Sequence, residues 1–320
     1  MKLITAEALP SLAGTDRPRR RPLRIGLVQH RWRADGRELE RTLDDAIGRA
    51  AGAGAEAVFL AELTLSKYPA HTRATGTPGE RAEPLLAGPT FTFAAKAAAA
   101  HDVVVHASLY ERAEGPDGLG FNTAILVSPE GELLGRTRKL HIPVSPGYYE
   151  DTYFRGGPPN DAYPVYEVKA LDGAHVGLPT CWDEWFPEVA RSYSLSGAEI
   201  LVYPTAIGSE PTFPAFDTEP LWRQVIVGNG ITSGTFMVAP NRIGDEGGLR
   251  FYGSSFVSDP YGRVLASAPR DEEAVIIADL DLDQRRDWLD LFPFLTTRRP
   301  DTYERLVAPV DHTRPYGGTR

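Results

Sequence analysis

The sequence is poor in cysteine and has no long apolar run. Its 320 residues include a single cysteine, Cys181, which excludes a disulfide within the chain and a metal site built from several cysteines. Such sparing use of cysteine is typical of the reducing cytoplasm, where we expect the protein to act. No apolar run approaches the ~20 residues needed to cross a bilayer. Glu7 and Pro10 interrupt the first residues before the core of a signal peptide could form, so the sequence predicts neither a membrane span nor export.

Positive charge is also in the minority. The chain has 34 Lys and Arg against 43 Asp and Glu, a net charge of −9. Because neutralising phosphates requires clustered Lys and Arg, this balance argues against a nucleic-acid partner and favours a cationic or neutral small molecule. The one basic run, residues 17–21, is predicted to belong to a flexible tail, residues 1–22, ahead of the folded part.

Common nucleotide and metal motifs are missing as well. The sequence has no G-x-x-x-x-G-K-[ST], no G-x-G-x-x-G after a strand, no H-E-x-x-H and no G-x-S-x-G. Its seven histidines are scattered without the spacing of metal ligands, so His106 and His141 are interpreted as structural or solvated. We therefore expect neither a cofactor nor a metal.

The chain does contain alternating strand and helix patterns, in two similar halves. The predicted strands are 23–30, 57–61, 103–110, 121–128, 133–139, 165–168, 175–180, 200–203, 236–241, 251–258, 263–268 and 274–280. The predicted helices are 38–53, 91–100, 187–196 and 219–233. This rhythm predicts an α/β fold of two mixed sheets packed face to face with helices outside. No clean linker divides the chain, which predicts one domain over 23–306 and a tail over 307–320 that could lie at a subunit interface.

Residues that could carry chemistry follow three of these strands. Cys181 comes where strand 175–180 turns towards the helix that begins at Pro187, and such an elbow lowers the pKa of a thiol. A thiolate nucleophile needs a proton acceptor and a positive neighbour, and Glu62 and Lys139 follow two other strands. Taken singly, the thiol is more typical of a small buried hydrophobe, and the other two are more typical of solvated strand ends. The hypothesis of a nucleophilic site requires all three to meet.

Three stretches identify the family that the sequence resembles. Glu62, residues 138–143 (RKLHIP) and residues 181–188 (CWDEWFPE) are similar to the catalytic blocks of the nitrilase (carbon–nitrogen hydrolase) superfamily. Four further stretches resemble the N-carbamoylputrescine amidases within it: 146–148, 203–211, 241–244 and 251–256. The resemblance covers residues 23–306 and implies an αββα sandwich, assembly into a dimer or larger homo-oligomer, and no cofactor.

The resemblance also implies a role for each site residue. Cys181 would attack the carbonyl carbon of an amide or ureido group, and Glu62 would be the general base. Lys139 would stabilise the oxyanion together with the backbone N–H of Trp182. Glu150 matches a second glutamate that orients substrate or Lys139. The implied reaction converts N-carbamoylputrescine, or a similar N-carbamoyl amine, to amine, carbon dioxide and ammonia through a thioester.

The sequence departs from the family pattern at Ala61, Pro179, Thr180 and Glu184, where Pro, apolar residues and Gln are usual. These departures leave the substrate open. The alternatives are an aliphatic amidase, a hydrolase of another N-carbamoyl compound as in the β-ureidopropionases, and a non-catalytic binding protein on the same fold.

Recognition of a cationic substrate needs a carboxylate or an aromatic face. The candidate carboxylates and aromatic walls are Glu210, Glu184, Asp183, Trp182 and Tyr68. Lys67, close to Tyr68 in the chain, would instead favour an acidic substrate.

Overall fold

The computed structural model of the protein describes residues 1–14, 18–311, 313–314 and 316–317. The strands are β1 (Lys2–Ala6), β2 (Leu23–Gln29), β3 (Ala57–Phe59), β4 (Val104–Glu111), β5 (Phe121–Val127), β6 (Leu133–Arg138), β7 (Val165–Val168), β8 (Ala174–Gly177), β9 (Ile200–Val202), β10 (Phe236–Ala239), β11 (Ile243–Asp245), β12 (Arg250–Tyr252), β13 (Phe256–Ser258), β14 (Val264–Ser267) and β15 (Ala274–Leu280). The α-helices are α1 (Gly36–Gly52), α2 (Pro89–His101), α3 (Pro187–Leu195), α4 (Glu219–Ser233), α5 (Asp283–Leu291) and α6 (Glu304–Val307).

Helices begin and face inward where the local sequence directs them. In α1, Leu39, Leu43 and Ile47 recur every four residues and are buried, because positions four apart lie on one face of a helix. The Asp35 side chain accepts hydrogen bonds from the first N–H groups of α1, which have no partner within the helix. Pro89 begins α2, where a missing N–H costs nothing.

The first half of the chain, together with β15 from near its end, forms one large sheet, and the second half forms the other. The first sheet has the order β1-β15-β2-β3-β4-β5-β6, and the second has the order β14-β13-β10-β9-β8-β7. In the first, β2, β3 and β4 are parallel, with α1 and α2 between them in the chain. In the second, β8, β9 and β10 are parallel, with α3 and α4 between them. This arrangement confirms the predicted mixed sheets.

Three apolar layers join these elements into an αββα sandwich. Leu27 of the first sheet and Val238 of the second belong to one buried cluster between the sheets. Successive side chains of a strand point to opposite faces, so Val28 packs outward with Leu43 of α1. Trp222 of α4 packs on the outer face of the second sheet. Both faces of each sheet are thereby covered, as parallel strands require.

Strand direction brings polar residues to one edge of the first sheet. β3 and β4 are parallel, β5 runs in the opposite direction, and β6 runs in the direction of β3 again. The carboxyl ends of β3 and β6 therefore lie at the same end of the sheet. Glu62 follows β3 and Lys139 follows β6. In the second sheet, β8 ends at Gly177, and Pro179 therefore lies beyond the strand, where a missing N–H breaks no ladder bond.

The expected flexible tail over residues 1–22 is wrong for much of its length. Residues 2–6 form β1, which pairs in parallel with β15 and extends the first sheet. Arg20 pairs with Glu199 and Arg21 with Glu56, so these parts of the basic run are tied to the domain. Arg17 lies outside the described residues. The sequence did not predict β1 because its apolar pattern (KLITA) is short and because its partner strand, β15, lies far away in the sequence.

Two other predictions needed correction. The single strand expected over 251–258 is two strands, β12 and β13, in different sheets, because Gly253 and Ser254 both adopt positive φ angles (+59° and +58°) and turn the chain. Helix α5 and strand β11 were not predicted. None of the helices in the described ranges is long and apolar enough to cross a membrane.

Candidate active site

Glu62 is a carboxylate with one anchored oxygen. It is fully buried, and its Oε1 accepts hydrogen bonds from Lys139 Nζ at 2.9 Å and Asn122 Nδ2 at 2.7 Å. Its Oε2 has no hydrogen-bond partner within the part of the chain that the structure describes. The next residue, Leu63, has φ of +48°, a left-handed conformation that turns the chain sharply away from β3. The turn leaves Glu62 at the end of the sheet with one oxygen held and one available.

Lys139 is a buried ammonium between two carboxylates. Its Nζ lies 2.9 Å from Glu62 Oε1 and 2.7 Å from Glu150 Oε2, and the side chains of all three residues are 0–1% exposed. Burial lowers the pKa of Lys139, but the charges of Glu150 and Glu62 outweigh it and raise the pKa well above its usual value. Lys139 therefore carries a positive charge at the centre of the site.

Glu150 begins a 3-10 turn, Glu150–Thr152, in the loop after β6. Its Oε1 accepts a hydrogen bond from the Tyr68 hydroxyl at 2.8 Å, and its Oε2 accepts one from Lys139. Burial raises the pKa of Glu150 to about 7, with the charge of Lys139 opposing the shift and that of Glu62 adding to it. Tyr68, predicted as an aromatic wall, is instead a fully buried donor to this carboxylate.

Cys181 begins a 3-10 helix, Cys181–Trp185, immediately ahead of α3. Its φ of +41° is rare for a side-chain-bearing residue, and its N–H donates to the Pro204 carbonyl at 3.1 Å. The expected lowering of its pKa is wrong: burial, with the charge of Glu62, raises the thiol pKa well above its usual value although Lys139 opposes the shift. The thiol is therefore protonated at rest, and Glu62 and Lys139 are among the groups whose charges act on it.

Asp183 joins the two loops that carry Lys139 and Cys181. Its Oδ1 accepts the backbone N–H of His141 at 2.9 Å and lies 2.7 Å from that residue's Nδ1. Its Oδ2 accepts the N–H of Thr180 at 3.1 Å and of Leu140 at 3.4 Å. Because both oxygens are engaged by the protein, the geometry favours a structural role for Asp183 over the predicted contact with substrate.

Glu184 is buried without a hydrogen-bond partner. Its side chain is 0% exposed, and neither of its carboxyl oxygens has a partner among the described residues. Burial, with the charge of Glu62, raises its pKa well above its usual value, and the indole of Trp222 faces it and opposes the shift. Glu184 belongs to the same 3-10 helix as Cys181, one turn further along it.

The remaining predicted substrate contacts lie nearer the surface. Trp182 is half-buried beside Trp185, with ring centroids 6.2 Å apart. Glu210 is also half-buried, accepts a hydrogen bond from Thr218 at 3.4 Å, and has a pKa raised by burial. Lys67 is exposed over the ring of Trp32, with Nζ 5.9 Å from its centroid.

Two site residues were missed at the level of sequence. Asn122 fixes Glu62 from the start of β5, where a polar side chain within an otherwise apolar strand is costly unless it is paired, and this was an available signal. Burial and the charge of Glu210 raise the pKa of Tyr148. Its hydroxyl donates to the Ser209 carbonyl and accepts the N–H of Gly208, contacts that no local pattern indicates.

The two histidines singled out from the sequence, His106 and His141, have structural contacts. His106 is fully buried on β4, and burial lowers its pKa to about 3, so the ring is neutral. His141 stacks on Phe186 with ring centroids 3.8 Å apart. Across the described ranges, no group of three or more His, Cys, Asp or Glu side chains is arranged to hold a metal ion.

A buried thiol, an ammonium and several carboxyl groups at the ends of two facing sheets define a class of hydrolase, and comparison with known proteins identifies it. The sequence model of the carbon–nitrogen hydrolase family matches residues 24–290. The chain belongs to this family, and it is a hydrolase of carbon–nitrogen bonds other than peptide bonds. The predicted superfamily is confirmed.

Among relatives, the N-carbamoylputrescine amidase of Solanum tuberosum is 38% identical over 73% of this chain and 78% of its own length. The citrullinase of Francisella tularensis subsp. tularensis is 38% identical over 65% of this chain and 71% of its own.

Solved structures confirm the fold. A carbon–nitrogen hydrolase from Helicobacter pylori G27 superposes with a TM-score of 0.80 at 30% identity, covering 90% of this chain and 99% of that one. A mutant of the amidase from Nesterenkonia sp. AN1, with the acetamide moiety of fluoroacetamide on its active-site cysteine, superposes with a TM-score of 0.69 at 25% identity, covering 91% of this chain and 98% of that one.

Proposed function

We propose that the protein hydrolyses an N-carbamoyl amine, with N-carbamoylputrescine as the first candidate, through a thioester on Cys181. The observation that carries the proposal is a fully buried ammonium, Lys139, paired with two carboxylates, and the charges of these groups act on the buried thiol of Cys181. The similarity to N-carbamoylputrescine amidases and to a citrullinase supports a carbamoyl group as the target. Such a carbon is a poor electrophile because both nitrogens donate into it.

The first step joins sulfur to the carbamoyl carbon. Because the Cys181 thiol is protonated at rest, its attack requires a base, and Glu62 takes the proton on Oε2, the oxygen that Lys139 and Asn122 leave unoccupied. The carbonyl oxygen becomes an oxyanion, which Lys139 Nζ and the backbone N–H of Trp182 stabilise. Each such donor contributes about 3 kcal/mol to the transition state.

Collapse of this intermediate returns the electron pair to the carbonyl and breaks a carbon–nitrogen bond. Glu62 gives its proton to the leaving nitrogen, so that a neutral amine or ammonia departs and a carbamoyl thioester remains on Cys181. Two moderate barriers thereby replace one high barrier.

Water then hydrolyses the thioester. Glu62 accepts a proton from the water, the hydroxyl oxygen adds to the carbonyl carbon, and the proton is returned to sulfur as the carbon–sulfur bond breaks. The carbamate that is released breaks down to carbon dioxide and the second nitrogen product. The sum is one N-carbamoyl amine and one water converted to an amine, ammonia and carbon dioxide. Glu150, which is bonded to Lys139 and Tyr68, orients the ammonium throughout.

Glu210 is the proposed contact for the distant ammonium of the substrate. It is half-buried, and the Tyr148 hydroxyl contacts the backbone of Ser209 and Gly208, which directly precede it in the chain. A partly desolvated carboxylate binds an ammonium more strongly than an exposed carboxylate does. Glu184 lies one turn of the 3-10 helix after Cys181 and is kept uncharged by burial, which suits a neutral part of the substrate better than a cation.

The test of the chemistry is a trapped intermediate. We expect mass spectrometry after addition of N-carbamoylputrescine to show a carbamoyl adduct on Cys181, and ammonia to be released. The Cys181→Ala variant should show neither. Stoichiometric binding without adduct or product would instead support a binding protein.

A substrate panel separates the possible carbamoyl substrates. Ammonia release should be fastest with N-carbamoylputrescine, slower with citrulline and N-carbamoyl-β-alanine, and slowest with a simple aliphatic amide. The Glu210→Gln variant should raise KM for the cationic substrate about tenfold and leave that for the aliphatic amide unchanged. Turnover of the amide alone would reject the first choice and indicate an aliphatic amidase.

We further propose that the enzyme acts in the cytoplasm, in polyamine metabolism, as a homo-oligomer to which residues 307–320 contribute. The low cysteine content supports a reducing compartment, and Leu306, Val307 and Val310 are exposed apolar side chains near the end of the chain. Light scattering on the full chain and on a chain ending at residue 306 tests the assembly. The same mass for both, equal to one chain, contradicts it.

A further inference from the structure

A second buried charge pair lies behind the turn that carries Glu62. Arg242 is fully buried, and its Nη1 donates to Glu246 Oε1 at 2.7 Å. These two residues belong to the second half of the chain, with Arg242 180 residues beyond Glu62. Burying an arginine is expensive unless its donors are used, so its partners are informative.

The guanidinium of Arg242 holds the backbone of the turn after β3. Its Nη2 donates to the carbonyl oxygens of Glu62 at 2.7 Å, Leu63 at 3.0 Å and Ser66 at 3.1 Å. Leu63 is the residue with a φ of +48°, and a left-handed conformation of this kind persists only where its surroundings enforce it. Arg242 satisfies the carbonyls on both sides of this strained residue.

Glu246 completes a closed ring of hydrogen bonds. Its Oε2 accepts the backbone N–H of Tyr68 at 2.8 Å, while the Tyr68 hydroxyl donates to Glu150. Glu150 is bonded to Lys139, and Lys139 is bonded to the carboxylate of Glu62. The ring therefore starts at the Glu62 backbone and returns to the Glu62 side chain.

We propose that Arg242, together with Glu246, is a positioning residue that fixes the turn from Glu62 to Tyr68 so that the Glu62 carboxylate stays aimed at the thiol. This inference rests on the proposed role of Glu62 as general base. A planar guanidinium presents five donors and can serve three carbonyls and a carboxylate together, whereas an ammonium presents three from one point. Lysine at position 242 would release part of the turn, and a displacement of about 1 Å in a catalytic group can slow a reaction about a hundredfold.

The test measures how fast iodoacetamide alkylates Cys181 between about pH 6 and about pH 10. Because Cys181 is the only cysteine, carbamidomethylation mapped to this residue by peptide mass spectrometry reports this thiol alone and requires no knowledge of the substrate. In Arg242→Lys we expect alkylation about tenfold slower at neutral pH, since a displaced Glu62 no longer takes the thiol proton. Towards high pH, where the thiol ionises unaided, the rate should converge on that of the wild type.

Arg285 provides the matched control. Its guanidinium also donates to backbone carbonyls, those of Ser194, Ser233 and Gly234. These lie at the C-terminal ends of α3 and α4. Arg285→Lys should lower the unfolding temperature much as Arg242→Lys does, yet keep the wild-type alkylation profile. An Arg242→Lys protein that is destabilised but alkylated at the wild-type rate over the whole pH range would overturn the proposal.

Two further variants keep the outcome decisive. If Arg242→Lys does not fold, Glu246→Gln replaces it: one acceptor of the ring is lost, and alkylation at neutral pH should slow about threefold. A wild-type profile in Glu246→Gln would overturn the proposal equally. Glu62→Gln separates this inference from the proposed function. An unchanged alkylation profile in Glu62→Gln would contradict the role of Glu62 as general base. A changed profile in Glu62→Gln together with an unchanged one in Arg242→Lys contradicts the positioning role alone.

Discussion

At the scale of single residues, the site holds more carboxyl groups than it can ionise. One buried ammonium, Lys139, faces Glu62, Glu150 and Glu184, and it is bonded to the first two. Glu184 has no partner for either oxygen among the described residues and has the strongly raised pKa that follows. Charge balance therefore leaves Glu184 protonated, with nearly the shape of the Gln that the family pattern has there.

Replacing Glu184 by Gln should change how stability depends on pH. In the unfolded chain a glutamate loses its proton above a pKa of about 4.3, whereas the folded protein keeps the proton on Glu184. Wild-type stability therefore contains a contribution that is present below that pH and is lost as the pH rises towards the raised folded-state pKa. The Glu184→Gln variant does not lose stability in this way, because a glutamine side chain does not ionise in either state. We expect nearly equal stability at about pH 4.5 and a gain that grows to about 5 kcal/mol in the variant at about pH 8, measured by urea unfolding.

The exposed Glu188, four residues further on, is the matched control. Glu188→Gln should unfold at the same urea concentration as the wild type at both pH values. A Glu184→Gln variant whose advantage does not grow with pH would show that Glu184 is ionised in the folded protein.

At the scale of elements, the candidate site is built from loops of two separate sheets. These loops are tied together at a few points. Asp183 ties the loop after β6 to the loop after β8 through four contacts, and Arg242 ties the turn after β3 to the chain after β10. β1 is at the opposite edge of the first sheet from β6 and lies far along the strand order from these ties. Edge pairing and site geometry should therefore be separable.

Deleting residues 1–6 tests this separation. Loss of β1 removes its ladder with β15 and the packing of Ile4 and Ala6 on the core between the sheets, and should lower the free energy of unfolding by about 2–4 kcal/mol. Turnover at 25 °C should be unchanged, since the strands that end at the site keep their pairing. Thermal unfolding and ammonia release measure the two effects. A large fall in kcat with unchanged stability would contradict the separation.

At the scale of the whole molecule, the net charge of −9 acts on the approach of substrate. A negative protein attracts a cationic N-carbamoyl amine over distances comparable with the Debye length, which shrinks from about 30 Å at 0.01 M salt to about 8 Å at 0.15 M. We expect kcat/KM for N-carbamoylputrescine to fall about two- to fivefold over that range. A neutral aliphatic amide is the control and should show no change. Equal salt dependence for both substrates would contradict the proposed attraction between the net negative charge and the cationic substrate.

The sequence by itself determined most of the strands and helices and the choice of candidate site residues. Apolar periodicity is a local property, so α1 and β5 could be predicted from a dozen neighbouring residues each. A lone cysteine after a strand, with a glutamate and a lysine after two others, was enough to predict a nucleophilic site.

Only the tertiary structure decided the state of those groups. Burial and the charges of Glu62 and Lys139 set the protonation of Cys181, and they come from residues far along the chain. The same holds for Asp183, whose carboxylate is used up by loop contacts, and for β1, which is ordered by pairing with β15. Desolvation and long-range pairing arise only when distant segments meet, and no local pattern records them.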